Sequence, residues 1–326
     1  MTVIELMIAM VILSVVVAAA FSVSYSIMNS YREHRRAIGV ERSARGAMAV
    51  LVDAVRNASP GVPNGQIVDL VGCELTTAWQ GIRVDNASDA PDAIDLVYSK
   101  GGILTTTRAG FTQTSSVIVV EDATLFRPGD QILVTDFVAG HLMTIDTIAP
   151  AGTEWNLNLR NGAPQGMCPT PPADFAYAPR ATVLRVQKAR FYVGAGAPVL
   201  MMDPDGTPGA VPLPAEAVAE GVEDLQIAVG VDLNGNGGID PEVGGAGNDD
   251  EWFYNHPDDL DPPAVGTVPY RAIRLTVIAR TTDDTSLAAT SLRPEVEDRA
   301  AATVPDVSRR RVLSTIVELR NLEGSP

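Results

Sequence analysis

From Leu6 to Met28 the chain holds only small, aliphatic, aromatic and hydroxyl side chains, and this run decides what the rest can be. As a helix rising about 1.5 Å per residue it reaches roughly 34 Å, enough to cross the hydrocarbon core of a bilayer. A cleavable secretory signal carries its basic residues before the apolar run and a small-residue cleavage site after it. Here Arg32, Arg35 and Arg36 follow the run, where they suit a membrane surface. The segment is expected to span a membrane as a mature N-terminal end whose leader has already gone. Glu5 stands at its start. A carboxylate carried into a bilayer costs on the order of 2.5 to 3.5 kcal/mol on insertion scales, so it is expected to have a partner or a function. The plainer alternative is hydration near the chain end.

The opening MTVIELMIAM resembles the mature start of type IV pilins and type II secretion pseudopilins: an aromatic residue or Met, then Thr, aliphatics, Glu at the fifth place and an apolar helix. The resemblance implies cleavage by prepilin peptidase and methylation of the new amino terminus. It also implies that Glu5 pairs with the amino group of Met1 in a neighbouring subunit. In a low-dielectric helix bundle such a contact sets the register.

Past the apolar residues 1–28, residues 29–59 are expected to continue the helix in amphipathic form. Met48, Leu51, Val52 and Val55 recur at helical spacing while Arg42, Arg45, Asp53 and Arg56 take other faces, and Ser59, Pro60 and Gly61 stop it. Gly39 and Gly46 are weak points, each costing about 1 kcal/mol against alanine.

The remainder, 60–326, reads as a β-rich head. The first 58 residues carry six arginines against four acids, a surplus of two, which leaves -18 on the remainder of a chain whose net charge is -16. So acidic a head disfavours nucleic acid as a direct ligand. Period-two alternation predicts strands over EDLQIAVGV and RAIRLTVIAR, with shorter ones at IDLVYS, SVIVV, QILVTD, LMTIDTI, WNLNL and VLRVQKARFYV, and a last one in RRRVLSTIVELRNL. Helical periodicity after Pro60 is confined to a turn at 214–220. Cys73 and Cys168 lack the CxxC spacing of a metal or redox pair; in an exported head a disulfide is expected, with two buried thiols as the alternative.

AEGVEDLQIAVGVDLNGNGGID, YRAIRLTVIART and RRRVLSTIVELRN, in that order, resemble the PilW-type minor pilins, and FRPGDQILVTDFVAGHLMTID resembles the small β insertion of that group. The resemblance implies an α+β pilin fold: one long N-terminal helix packed on an antiparallel sheet head, with an inserted β subdomain at about 105–180. It implies a head in the periplasm before assembly, anchored in the inner membrane, and an extracellular filament after it. The implied partners are other pilin subunits, the prepilin peptidase and the pilus assembly machinery.

DLNGNGGIDPE has its own chemistry. Asp232, Asn234 and Asn236 supply oxygens at alternate places, Gly237 stands sixth for a sharp turn, Gly238 offers a carbonyl and Asp240 stands ninth. That is the start of an EF-hand-type calcium loop. The twelfth place is Val243 instead of the bidentate Glu, so Glu242 or an acid from Asp249, Asp250 and Glu251 has to complete the shell. A plain Asn-Gly hairpin turn is the competing reading.

Other chemistry is not supported. His34, His141 and His256 are scattered, no GK[ST] phosphate loop occurs, and Asp258, Asp259 and Asp261 sit among prolines as a solvated loop does. The chain is expected not to be an enzyme. Three readings remain: a PilW-type subunit of an adhesive or motile filament, a type II secretion pseudopilin, or a tethered, calcium-dependent binding protein.

Overall fold

The computed structural model describes residues 3–63, 66–204, 214–241, 250–264, 267–281, 291–319 and 321–322. Helix α1 (Val3–Arg56) runs unbroken through Gly39 and Gly46, in keeping with the absence of proline before Pro60. Asn57 closes its last turn by donating from its side chain to the Asp53 carbonyl at 2.8 Å. The chain then reverses at Ser59, which holds φ +50°, donates its N–H to the Val97 carbonyl at 2.7 Å and its hydroxyl to the Val62 carbonyl at 2.8 Å. Gly81 lies against this corner, where an added Cβ would stand 2.4 Å from that of Ser59. Only glycine fits there.

After the corner come β1 (Gln66–Asp69), β2 (Glu74–Gln80), β3 (Ile82–Asp85), β4 (Ala93–Thr106), β5 (Phe111–Thr112), β6 (Val117–Val120), β7 (Gln131–Thr135), β8 (Gly140–Ala151), β9 (Glu154–Leu159), a short α2 (Pro164–Met167), β10 (Ala176–Tyr177), β11 (Thr182–Val193), β12 (Val199–Asp203), β13 (Glu216–Glu220), β14 (Val222–Val231), β15 (Trp252–Phe253), β16 (Tyr270–Arg280) and β17 (Arg310–Glu318). The class is α+β. Strands β14, β15, β16 and β17 form one antiparallel sheet in the order β15-β14-β16-β17. A larger sheet centres on β11, which pairs along one edge with β4 and along the other first with β7 and then with β12. That fork contributes to the two largest hydrophobic cores among the described residues and to a smaller one of Val62, Ile67, Val97, Leu133, Leu142 and Val186.

In the first core, Ala47, Met48, Leu51, Ala54 and Val55 of α1 pack on Leu225, Ile227, Val229, Ile273, Leu275 and Val277 from the small sheet and on Ile94, Leu96 and Phe191 from the large one. The helical stripe is therefore the seam between two sheets. The second core gathers Leu70 with Phe111, Phe126, Ile132, Met143, Leu157, Cys168 and Val183. Lys188 on β11 and Asp69 on β1, both fully buried, join at 2.6 Å between the fork's two branches. Removing either partner would strand a buried charge.

Two expectations change. The turn at 214–220 is the edge strand β13, paired antiparallel with β12, because the neighbouring edge offers it ladder hydrogen bonds. The head is also not wholly antiparallel: β1 runs parallel to β8, with Ile67 opposite Gly140.

Candidate functional site

Two regions carry the residues singled out by the sequence. The first is the free part of α1. Among its described side chains the first buried one is Val40; before it Ile8, Ile12, Val16 and Met28 are all at least half exposed. A helix apolar on every side belongs in lipid or among other helices. The rod from Val3 to Gly39 is about 55 Å long at 1.5 Å per residue. It thus reaches well beyond one bilayer core. Glu5 lies within α1, while its side chain and all of Met1 fall outside the described residues. Arg35 stacks its guanidinium over the Tyr31 ring, 4.9 Å from the centroid, at the polar end of the span.

The second region is the loop after β14. Asp232 is 1% exposed. One of its oxygens, Oδ2, accepts from the Gly237 N–H at 3.0 Å and from the Arg271 Nη2 at 2.8 Å. The guanidinium holds this carboxyl below the usual carboxylate range. Gly237 has φ +87°, the left-handed turn that the sixth place requires. Both amides then converge on Asp240: Asn234 donates to its Oδ2 at 2.7 Å and Asn236 to its Oδ1 at 3.1 Å. Ile239 folds back under the loop onto β14, where a Cβ on Gly230 would meet its Cδ1 at 2.3 Å.

The structure thus brings together Asp232, Asn234, Asn236 and Asp240 and leaves Glu242 and Asp249 outside the described residues. Glu251 has a different task from completing a shell. Its Oε1 accepts the N–H groups of Leu233 and Asn234 at 2.7 and 3.1 Å, and its Oε2 accepts that of Asp240 at 2.9 Å. It fastens both ends of the loop. Asp250 likewise accepts from the Trp252 N–H and the Asn255 amide. Sequence spacing did not point to Arg271, whose reach to Asp232 depends on the pairing of Val231 with Tyr270.

Cys73 and Cys168 are joined as a disulfide that ties the β1–β2 corner to the second core. His141 is buried; it stacks on Phe175 with ring centroids 3.8 Å apart and meets the Tyr177 hydroxyl through Nδ1 at 2.6 Å. His256 makes a loop contact instead, accepting the Asp258 N–H at 3.2 Å, and His34 lies on α1. Asp259 accepts the N–H groups of Asn255 and His256, so the acidic cluster there shapes a turn.

Residues 190–321, from the end of β11 to just past β17, match the family described as Type IV Pilus-assembly protein W. No curated protein matches the chain. Among solved structures, a type IV-like pilin from Thermus thermophilus aligns with 60% of this chain and 86% of its own at 15% identity and a TM-score of 0.24, too loose a likeness to bear on function.

Proposed function

We infer that this chain, a type IV pilus-related pilin by its match over residues 190–321, is a filament subunit that polymerises through the free part of α1. One observation carries the reading: from Val3 to Gly39 the helix buries no described side chain against its own head, so its apolar surface is left for lipid or for other subunits. Before assembly the bilayer covers it. In a filament the same surface packs on copies of the same helix, a transfer between two apolar surroundings that costs little.

Glu5 supplies the register. Its carboxylate is matched with the amino terminus of Met1 on a neighbouring subunit, while the head remains outside the membrane as adhesive or motile surface. The disulfide supports an exported head, since such bonds persist in oxidising compartments.

Replacing Glu5 with alanine tests this reading. Losing one side of a buried opposite-sign contact costs on the order of 3 kcal/mol, about a hundredfold in an equilibrium. We expect the subunit to vanish from sheared surface filaments while its amount in the membrane and the melting of its head stay as in the wild type. A chain that serves only as a tether would be indifferent to the change, and equal recovery of both proteins in the filament fraction would exclude polymerisation by this route.

A further inference from the structure

We propose that the loop from Asp232 to Asp240 is a calcium site of the head, a claim that stands or falls independently of filament assembly. The second oxygen of Asp232, Oδ1, is buried and accepts no hydrogen bond of ordinary length among the described residues, although the Gly235 N–H also faces the carboxyl and the Gly237 N–H turns it into the loop. A buried carboxylate oxygen without such a bond is costly, and a cation removes the cost. Asp240 faces the same loop from the other end. There its two oxygens are met by the amide groups of Asn234 and Asn236, the positive ends of two neutral dipoles.

A divalent cation replaces those weak donors. The amides then turn their carbonyl oxygens toward it, which with Asp232 Oδ1, the Asp240 carboxylate and the Gly238 carbonyl makes an all-oxygen shell completed by water. Calcium suits such a set because it accepts six to eight oxygens in irregular geometry, whereas magnesium demands a small near-ideal octahedron. The described residues hold no group of three Asp, Glu, His or Cys side chains converging on one point. The site therefore relies on amide and backbone oxygens around two carboxylates, one of them shared with Arg271. So low a ligand charge places the affinity on the order of 10⁻⁴ to 10⁻³ M, the range of modules that work outside the cell.

The scaffold is already built for a ligand. Glu251 fixes three backbone N–H groups of the loop, and Ile239 is seated over Gly230 beside Trp252. Asp240→Ala leaves the Glu251 contacts intact, because Asp240 makes its own through the backbone.

The full-length protein in detergent micelles is titrated with calcium chloride by calorimetry and melted in about 10 mM calcium or in chelator. We expect saturable binding and a rise in melting temperature of roughly 5 °C with calcium, with no comparable rise in equal magnesium. In Asp240→Ala, binding should weaken at least about tenfold and the rise should disappear. Terbium emission sensitised by Trp252 in the wild type, quenched by calcium, gives a readout that does not depend on the variant folding. Equal melting temperatures in calcium and chelator with no sensitised emission, a shift that survives in Asp240→Ala, or an equal shift with magnesium would each overturn the assignment.

Discussion

Replacing both Cys73 and Cys168 with alanine is expected to cost the head about 4.7 kcal/mol, the value that loop entropy gives for a closed loop of this length. The bridge spans 95 residues of sequence. It acts mainly on the unfolded chain, where it forbids most of the separations that β1 and the segment after α2 would otherwise sample. In the folded state Cys168 is part of the second core, and Cys73 sits at φ +59°, a left-handed conformation that costs a non-glycine residue roughly 1 to 2 kcal/mol. Alanine at 73 keeps that strain, so the double variant loses the cross-link without relieving it. Urea unfolding of the full-length protein in micelles measures the difference. A loss below about 1 kcal/mol would mean that the denatured chain already holds these segments together.

Acid is the second large lever, through His141. Burial among Phe175 and Tyr177 lowers its pKa to about 4, with Asp136 pulling the other way. In the unfolded chain an imidazole takes up its proton near pH 6.5. The folded state therefore has its full advantage above pH 6.5, loses it progressively as pH falls, and keeps none below about 4. The loss amounts to roughly 3 kcal/mol at about 1.4 kcal/mol per pKa unit. Asp92 acts with opposite sign over an overlapping range: burial raises its carboxyl from 3.8 to about 8, so its contribution is full below pH 3.8, falls as pH rises and is gone above about 8, opposing His141 between pH 4 and 6.5. A His141→Gln variant isolates the first effect. It should be less stable than wild type at pH 7 and approach it at pH 4. Parallel stability curves from pH 7 to 4 would show that His141 does not govern the acid limb.

The seam of α1 was legible because Met48, Leu51, Val52 and Val55 repeat at helical spacing, and Met48, Leu51 and Val55 are buried between the sheets. Ala44, Ala47 and Ala54 are buried too, yet alanine is so common on exposed helix faces that it adds no signal. Strands β14 and β16 stood out because their large side chains alternate over nine or more positions. Strand β4 is longer than IDLVYS suggests: it passes through Gly101 and Gly102, both at positive φ, and the β11 register shifts opposite them between Leu184 and Val186. A glycine pair marks a turn in most sequences, and here it marks a bulge. Strands β1 to β3 were missed because each is short and the stretch between Gln66 and Asp85 mixes polar and apolar residues irregularly. For the loop after β14, the alternating oxygens were readable from spacing alone. The contacts of Arg271 and Glu251 were not, since they follow from which strands lie side by side.

The central claim is that the free helix packs against helices of other subunits. Photo-reactive side chains placed at Val16, 58% exposed on the rod, and at Val304, 78% exposed on the head, test it in cells that assemble pili. Irradiation should yield covalent adducts with pilin subunits from position 16, in larger amount than from 304 and only when assembly is active. A monomer band alone from position 16, in cells whose surface filaments are intact, would contradict the account.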